Sequence, residues 1–498
     1  MSQNNKSSEK YHECLETTHE VGFVREVFHP VVLVEGLPGA RMLEVVFFES
    51  GPMGIVTAVT ESRVEILILS SSSVLLESSV SRSNRFLGIK IGPAILGSSL
   101  DSLGRPLGSE IISLEDSIFS LVDVAPSGIS ERDKVSEPLE TGVSVVDLMV
   151  PLGKGQRELV LGDRKTGKTE FIFQTMLNQV KDNSVVVYAA IGKKKTSIKS
   201  SMEFIKKYGL ENNSVVVATG ASDPLGLLYL NPFTAMTIAE YFRNQGKDVL
   251  LVLDDLTTHA KFYREMSLIA RKFPGREAYP GDIFHMHARL LERAGNFPKG
   301  SITCLPVVET VEGDVSGYIQ TNLMSITDGH LFFDTELFKK GRHPAVNTFL
   351  SVTRVGRQTQ SKLRWGANRE LTSFFTLLDK TENFIHFGSE INEGIKATVE
   401  MGEVLVSFLN QPLKETTPLK IQILFYGLIW VRGFKSTSVE DVRKYLAQSS
   451  HRYKTDAVFR SKIDELVVET DEFNAFLGKI STKVDSLVDM VGEGYEKK

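Results

Sequence analysis

The sequence contains very little cysteine. Its 498 residues include two cysteines, Cys14 and Cys304, which are far apart along the chain. Two such residues cannot form a disulfide framework, and their separation argues against a cysteine-based metal site. Both thiols fit a reducing compartment, so we expect an intracellular protein.

Long hydrophobic segments are also missing. The longest strongly apolar run is IQILFYGLIWV at residues 421–431, whereas a membrane-spanning helix needs about 20 residues. We therefore predict a buried helix at this place. The first residues, MSQNNKSSEKYHE, are polar and lack the apolar core of a secretory signal. Their acidic residues also argue against an organelle transit peptide.

The charges of the two signs nearly balance. The chain has 57 Lys and Arg residues against 62 Asp and Glu residues, a net charge of −5. No overall basic field therefore attracts nucleic acid or an anionic membrane. Hydrophobic residues make up 42% and charged residues 24%, which is typical of globular proteins. At roughly 100–200 residues per domain, we expect about two to four domains.

A polar tail, residues 1–21, precedes three regions with different sequence patterns. In residues 22–95, short runs rich in Val, Ile and Phe alternate with turn signals, which predicts a small closed β-barrel; a β-sandwich is the alternative. Residues 96–369 alternate between strand-like and helix-like segments, and residues 370–498 show helical spacing. The predicted fold is a multidomain chain with an N-terminal β-barrel, a central α/β domain and a C-terminal α-helical bundle.

Individual elements can be predicted within the two larger regions. Apolar runs typical of strands buried on both faces of a parallel sheet lie at residues 158–161, 184–191, 214–218 and 248–253. Helical spacing predicts helices at residues 392–409, 439–447 and 455–476.

The most specific motif is a phosphate-binding loop. Residues 162–169, GDRKTGKT, match G-x-x-x-x-G-K-[ST] between a strand-like ELVLG and a helix-like segment. Its glycines allow successive backbone N–H groups to face phosphate oxygens, and the following helix adds the positive end of its dipole. The predicted nucleotide-binding residues are Gly162, Asp163, Arg164, Lys165, Thr166, Gly167, Lys168 and Thr169.

Two residues of this motif are predicted to contact the phosphates and a metal ion. We expect Lys168 to reach the β- and γ-phosphates of ATP (or ADP), and the Thr169 hydroxyl to hold Mg²⁺. A second buried strand, at residues 249–253, leads directly into two carboxylates. One carboxylate at such a strand end can reach the metal. We predict Asp254 in this role, with Asp255 as the alternative.

These residues resemble the α subunits of the F-type ATP synthases. The segments that carry the resemblance are GQRELVLGDRKTGKT, FPGREAYPGDIF, HARLLERAG, ETVEGDVSGYIQTNLMSITDG and LSVTRVG. The resemblance implies a central P-loop NTPase domain of the RecA-like type and a subunit of the H⁺-transporting ATP synthase, an enzyme complex. In that family three α and three β subunits alternate around a rotating central stalk, and ATP is made from ADP and phosphate.

The resemblance also implies partners and a location. The partners are the β subunit, the γ central stalk and a peripheral-stalk or δ subunit, and no nucleic acid is involved. The membrane is reached only through the ion-translocating sector. The complex is peripheral, on the cytoplasmic face of a bacterial inner membrane, or on the matrix or stroma side if the gene belongs to an organelle.

Each α subunit of this family binds Mg-ATP tightly without turning it over. The β family has a Glu that orients the attacking water, and the α family has a Gln there; this chain has Lys193. A lysine is protonated at neutral pH and is no general base. In LSVTRVG, Arg354 matches the arginine finger that reaches the neighbouring β site, and Ser351 matches a serine required for activity. The family's glutamine-rich segment near the adenine is reduced here to residues 410–412, NQP, and Gln411 is the residue predicted to bind nucleotide there.

Several positions depart from the family pattern. Lys165 replaces a Gln of the loop, and His343 stands where G-I-R-P-A-I has Arg. The N-terminal tail shows no apolar stripe for a peripheral-stalk contact. These departures leave two alternatives: an α-like subunit of a diverged or sodium-coupled rotary or hexameric ATPase, and a self-sufficient hexameric ATPase of the secretion type.

Overall fold

The computed structural model describes residues 3–108, 112–113, 115–386, 393–412, 415–434 and 437–492. The chain folds into two compact units. The barrel unit comprises Met1–Asp133, Asn183–Glu309 and Val315–Thr327. The bundle unit comprises Lys134–Asp182, Thr310–Asp314 and Asp328–Lys498.

The strands of the described residues vary from two to ten residues in length. They are β1 (Gly22–Phe28), β2 (Val31–Glu35), β3 (Glu44–Phe48), β4 (Met53–Val59), β5 (Val64–Ile68), β6 (Ser79–Phe86), β7 (Gly88–Ile91), β8 (Ser99–Leu100), β9 (Ile118–Leu121), β10 (Pro138–Leu139), β11 (Leu152–Gly153), β12 (Glu158–Gly162), β13 (Val185–Lys193), β14 (Ser214–Gly220), β15 (Val249–Asp254), β16 (Gly295–Phe297), β17 (Gly300–Glu309), β18 (Gly329–Phe333) and β19 (Val352–Thr353).

The α-helices of the described residues include several of 14 or more residues. They are α1 (Gln3–Thr18), α2 (Ser144–Met149), α3 (Lys168–Lys181), α4 (Lys195–Lys207), α5 (Leu225–Asn244), α6 (Leu256–Ile269), α7 (Ile283–Leu291), α8 (Tyr318–Ile326), α9 (Thr335–Lys339), α10 (Lys362–His386), α11 (Glu393–Leu409), α12 (Leu419–Trp430), α13 (Val439–Thr455), α14 (Ala457–Leu466), α15 (Phe473–Ser481) and α16 (Val484–Gly492).

The barrel unit begins with a closed six-stranded β-barrel in the order β1, β2, β5, β4, β3, β6. Alternate residues of these strands point inwards, and Val24, Val46 and Ile66 are among the fully buried side chains of the barrel core. The barrel confirms the prediction and excludes the sandwich. Strand β6, SVSRSNRF, closes the barrel by pairing with β1 and β3.

Helix α1 lies where the sequence indicated only a polar tail. It packs against β3 and β6 of the barrel. Tyr11 is buried at 4% exposure, and the Lys10 ammonium lies 5.4 Å from the centre of the Phe47 ring. These contacts stabilise a helix whose Asn, Ser and Thr residues have low intrinsic helix propensity. The sequence does not predict this helix, because the polar tail contains no apolar stripe.

A parallel sheet forms the rest of the barrel unit's core. Its strands lie in the order β17, β15, β13, β14, β8, and β16 pairs antiparallel with β17. Helix α5 packs on β13, β14 and β15. Strands β13, β14 and β15 confirm three predicted apolar runs. Because the strands are parallel, Lys193 at the end of β13 and Asp254 at the end of β15 lie at the same edge of the sheet.

The bundle unit contains the fourth predicted strand, β12, which pairs parallel with β18 from Glu158↔Gly329 to Gly162↔Phe333. Strand β19 lies antiparallel beside β18, and β10 pairs with β11. The remainder of the unit is mainly helical, so the predicted fold class is confirmed. Helix α10 spans the predicted boundary at residue 370.

Helix α12 is the buried helix predicted from IQILFYGLIWV. All residues from Ile421 to Ile429 are buried, and the helix packs on α2, α11, α13, α14 and α15. Helix α11 confirms the prediction at 392–409 from residue 393 onwards, residue 392 lying outside the described residues, and α13 confirms and extends the one at 439–447. Among the described residues, no helix combines the length and apolar character needed to cross a bilayer.

The prediction of one helix over residues 455–476 is wrong. The structure has two helices there, α14 and α15. The Asp456 carboxylate accepts hydrogen bonds from the backbone N–H groups of Val458 and Phe459, so it caps a new helix. Helix α14 ends at Leu466, and a turn follows in which Asp471 N donates to the Val468 oxygen.

Candidate nucleotide-binding site

The phosphate-binding loop lies between β12 and α3 in the bundle unit. Strand β12 is buried at all five residues, and α3 begins at Lys168. Gly167 has φ 92°, in the left-handed region that favours glycine. A Cβ atom on Gly162 would collide with the Phe333 carbonyl oxygen, so β18 also requires glycine there. The local structure is therefore the strand, loop and helix that the motif predicted.

The Lys168 side chain lies over the loop. Its ammonium donates to the carbonyl oxygen of Gly162 at 2.6 Å and also to that of Asp163. Thr166 is buried, and its hydroxyl donates to the Asp163 carbonyl oxygen at 2.8 Å. Three other predicted residues, Arg164, Lys165 and Thr169, are exposed. The loop thus presents cationic side chains on its surface, with a third cation folded against its backbone.

Asp163 holds the loop to other segments of the bundle unit. Its Oδ1 accepts from the Thr310 hydroxyl at 2.5 Å and from Gly313 N at 3.0 Å. Its Oδ2 accepts from the Thr335 hydroxyl at 2.9 Å. Burial acts to raise the pKa of Asp163, but these hydrogen bonds and the Lys168 charge outweigh it and hold the pKa below its ordinary value. Asp163 is therefore an ionised clamp.

Thr310 and Thr335 were not identified from the sequence. They lie far from the loop along the chain, and a lone threonine after a strand or in the first turn of a helix is unremarkable. The segment ETVEGDVSGYIQ, which contains Thr310, was recognised only as part of the family resemblance.

Ser351 and Arg354 lie near β18 in the bundle unit. The Ser351 hydroxyl donates to the Asn347 oxygen at 2.7 Å and accepts from Phe332 N at 2.9 Å, which ties the segment to β18. Arg354 N donates to the Asp328 oxygen at 3.1 Å. The Arg354 side chain is exposed and has no hydrogen-bond partner among the described residues.

Glu158, in β12, is a buried acid that the sequence reading did not single out. Its Oε2 accepts from the Gln156 amide at 2.6 Å, while Oε1 has no hydrogen-bond partner among the described residues. Burial raises the pKa of Glu158 well above its ordinary value, although the nearby Arg354 charge acts against this rise. The side chain is thus biased towards its neutral form.

Gln411 forms hydrogen bonds within the bundle unit. Its Oε1 accepts from Ser144 N at 2.6 Å, and its Nε2 donates to the Gly142 oxygen at 2.9 Å. Its backbone N–H donates to the His343 oxygen at 2.8 Å. The His343 ring lies 5.1 Å from the Phe338 ring in an edge contact. Gln411 is buried, and its side-chain amide holds the backbone of Gly142 and Ser144 in place.

At the edge of the parallel sheet in the barrel unit, Lys193 contacts two carboxylates. Its ammonium lies 2.7 Å from Asp254 Oδ1 and 3.2 Å from Asp255 Oδ2. The Tyr188 hydroxyl donates to Asp254 Oδ2 at 2.7 Å, and Thr258 N donates to Asp255 Oδ1 at 2.6 Å. Burial acts to lower the pKa of Lys193, but the charges of the two aspartates outweigh it and hold the pKa above its ordinary value.

This arrangement bears on the predicted Mg²⁺. All four oxygens of Asp254 and Asp255 accept hydrogen bonds, two of them from an ammonium. A Mg²⁺ ligand needs a carboxylate oxygen that faces the cation, so the donors around Asp254 do not fit a metal site. Within the described ranges, no group of three or more His, Cys, Asp or Glu side chains is placed to hold a metal ion. The roles predicted for Thr169 and Asp254 stay predictions.

Comparison with known proteins identifies the family. The model of the ATP synthase alpha/beta family, nucleotide-binding domain, matches residues 142–353. A protein named ATP synthase subunit alpha from Mycoplasma capricolum is 39% identical over 479 residues, which cover 93% of this chain and 90% of that protein. The chain belongs to the ATP synthase α-subunit family.

Further members of the α-subunit family agree with this. The ATP synthase subunit alpha of Lactobacillus helveticus is 37% identical over 86% of this chain and 86% of its own length. That of Limosilactobacillus reuteri is 37% identical over 96% of this chain and 95% of its own length. The resemblance found in the sequence is therefore confirmed for nearly the whole chain. The matched segment contains the loop, Lys193 and Asp254, and it ends one residue before Arg354.

Proposed function

We propose that this chain is the α subunit in the head of an F-type, H⁺-transporting ATP synthase. It binds ATP or ADP at the loop 162–169 without hydrolysing it, and it supplies Arg354 to the catalytic site of a neighbouring β subunit. Membership of the α-subunit family carries the proposal. The geometry of the strand, loop and helix supports nucleotide binding, because the loop has the conformation and the cations that a polyphosphate requires.

The absence of turnover at this site follows from the chemistry of Lys193. Hydrolysis requires a group that orients and polarises the attacking water, and a carboxylate performs this role in the β family. Lys193 carries a positive charge and is held by Asp254 and Asp255. An ammonium has no lone pair to accept a proton from water, so this site stores nucleotide.

The contribution of Arg354 to catalysis is supported by its exposure and by the anchoring of its segment. The Ser351 hydroxyl holds the backbone that precedes Arg354, and Arg354 N itself donates to the Asp328 carbonyl oxygen. The guanidinium has no hydrogen-bond partner among the described residues, so it can stabilise the charge that develops on a transferring phosphoryl group. Ser351 is a positioning residue in this proposal.

The proposed complex defines the partners. The β subunit alternates with this chain in the ring, the γ subunit forms the central stalk, and a peripheral-stalk or δ subunit contacts the ring from outside. An ion gradient across the membrane drives synthesis through the membrane sector, and this chain reaches the membrane only as a peripheral part of the complex.

The test is a pair of matched arginine variants in the assembled ring. We expect Arg354→Ala to lower the rate of ATP hydrolysis by about 10³-fold or more, the size seen when an arginine finger is removed. Nucleotide bound to this chain should be retained. Arg357→Ala is the control, since Arg357 is an exposed arginine three residues away with no assigned role. Equal rates for the Arg354 variant and the unmodified ring would contradict the proposal.

A further inference from the structure

Glu158 lies beside the segment that carries Arg354, within the bundle unit. Across the paired strands β12, β18 and β19, Glu158 pairs with Gly329, and Gly329 pairs with Thr353, the residue before Arg354. A Cβ atom on Gly329 would lie 2.6 Å from one Glu158 carboxyl oxygen and 2.9 Å from the other. The absence of a side chain on this glycine therefore leaves room for the Glu158 carboxyl group.

Gln156 joins Glu158 to Thr353. Its side-chain amide donates to Glu158 Oε2 at 2.6 Å and to the Thr353 hydroxyl oxygen at 3.2 Å, and all three side chains are buried. The amide is itself fixed, because its Oε1 accepts from Gly153 N at 2.8 Å. The two N–H groups of one amide thus hold a carboxyl oxygen and a hydroxyl oxygen in place.

The Thr353 hydroxyl in turn fixes the backbone around Arg354. It donates to the Pro151 oxygen at 2.9 Å and accepts from Gly356 N at 3.2 Å. A Cβ atom on Gly356 would collide with the Pro151 oxygen, so this close approach of two backbone segments requires glycine. Arg354 therefore projects from a segment whose backbone is held one residue before it and two residues after it.

Stability alone does not explain a glutamate at this position. Glu158 Oε1 is buried and has no hydrogen-bond partner among the described residues, and a buried oxygen of this kind lowers the stability of a fold. A leucine of similar size would avoid this loss. The charges that act on the Glu158 carboxyl group are those of Asp328 and Arg354. Glu158 is thus coupled to Arg354 by charge as well as through Gln156.

We propose that Glu158 is a positioning residue for Arg354. Through Gln156 and Thr353, it fixes the point from which the Arg354 guanidinium reaches a transferring phosphoryl group. The inference rests on the proposed role of Arg354 and adds to it. Placement matters at this point because a shift of about 1 Å in a catalytic group can lower a rate by about 10²-fold. Glu158 acts on the reaction only through Arg354.

The experiment measures steady-state ATP hydrolysis by the ring assembled with Glu158→Leu. We expect kcat to fall by about tenfold or more and KM to change by less than about twofold, because an interaction made mainly in the transition state affects kcat rather than substrate binding. Glu158→Gln keeps an oxygen that can accept from Gln156, so it should restore most of the rate. Glu403→Leu, at an exposed glutamate of α11, is the control and should change neither constant.

A second variant breaks the same connection at its other end. Thr353→Val keeps the shape of the side chain and removes the hydroxyl that Gln156 contacts. It should lower kcat by about tenfold or more as well, for the same reason. Urea denaturation of each isolated chain shows whether it folds, so the inference can be tested with Thr353→Val if Glu158→Leu does not fold.

A double-variant cycle separates this inference from the proposed function. If Glu158 acts through Arg354, Glu158→Leu should lower kcat no further in a ring that already carries Arg354→Ala. An equal loss in both backgrounds, or a folded Glu158→Leu chain whose ring is as fast as the unmodified one, would overturn the inference and leave the role of Arg354 intact. A ring in which Arg354→Ala itself has no effect would refute the proposed role of Arg354 and the inference with it.

Discussion

At the scale of single residues, the phosphate-binding loop depends on Asp163. This residue belongs to the motif, yet its carboxylate faces Thr310, Gly313 and Thr335. Three hydrogen bonds to one ionised group join three separate segments of the bundle unit. The loop is thus held in shape before nucleotide arrives, which lowers the entropy lost on binding.

Asp163→Ala should destabilise the bundle unit by about 2–3 kcal/mol, because it removes charge-assisted hydrogen bonds and leaves their donors without an acceptor. Since the folded-state pKa of Asp163 lies below its ordinary value, its contribution is complete above the ordinary aspartate pKa and disappears as the pH falls through the folded-state pKa. The difference between the variant and the unmodified chain should therefore shrink in acid.

Chemical denaturation at neutral and acidic pH measures this difference. Glu170→Ala is the matched control, because Glu170 is an exposed carboxylate in the same segment with no hydrogen-bond partner among the described residues. Equal stability of the Asp163 and Glu170 variants would show that the clamp contributes nothing.

At the scale of elements, the C-terminal helices show how one side chain sets a boundary. Helical spacing runs across residues 455–476, but Asp456 begins a new helix there because its carboxylate satisfies two N–H groups of α14. Hydrophobic periodicity depends only on the spacing of apolar residues, so it does not reveal a polar side chain that caps a helix.

Asp456→Ala should lower the free energy of unfolding by about 1 kcal/mol, the usual value of an N-cap. Asp456→Ser keeps an oxygen that can accept from the same N–H groups, so it should retain most of the stability. Urea denaturation compares the three chains. If the alanine and serine variants unfold at the same urea concentration, the cap is not what stabilises α14.

The elements that the sequence predicted most directly carry a long uninterrupted apolar signal. Strands β13 and β15 and helix α12 are of this kind, and all are deeply buried. Strand β6 is rich in Ser, Arg and Asn and carries no such signal. Strand β17 contains Pro306, which argues against a strand in a single sequence. Strands β6 and β17 both depend on pairing with strands from distant parts of the chain, which the local sequence does not indicate.

In the candidate site, too, local features could be predicted from the sequence and tertiary contacts could not. The loop is predictable because its chemistry is local: glycines, a lysine and a hydroxyl within eight residues. The partners of Asp163 and the carboxylates around Lys193 come from distant parts of the chain. Lys193 could be recognised as a departure from the family, but its contacts with Asp254 and Asp255 required the fold.

At the scale of the whole molecule, residues with a proposed part in nucleotide binding occur in both units. The loop belongs to the bundle unit, and Lys193 with its two aspartates belongs to the barrel unit. Asp163 of the loop and the two aspartates beside Lys193 are each hydrogen-bonded within their own unit. In the proposed function, this chain holds nucleotide, lacks the group that activates water and offers Arg354 to a neighbouring subunit.

The most direct test of this account is one preparation of the isolated full chain, assayed for both bound nucleotide and phosphate release. After incubation with ATP and removal of free nucleotide, we expect about one nucleotide per chain, as one loop implies, with phosphate release no faster than that of a Lys168→Ala variant. The variant should hold little nucleotide, since it lacks the lysine predicted to reach the β- and γ-phosphates. Sustained phosphate release by the isolated chain that disappears in the Lys168 variant would contradict the account.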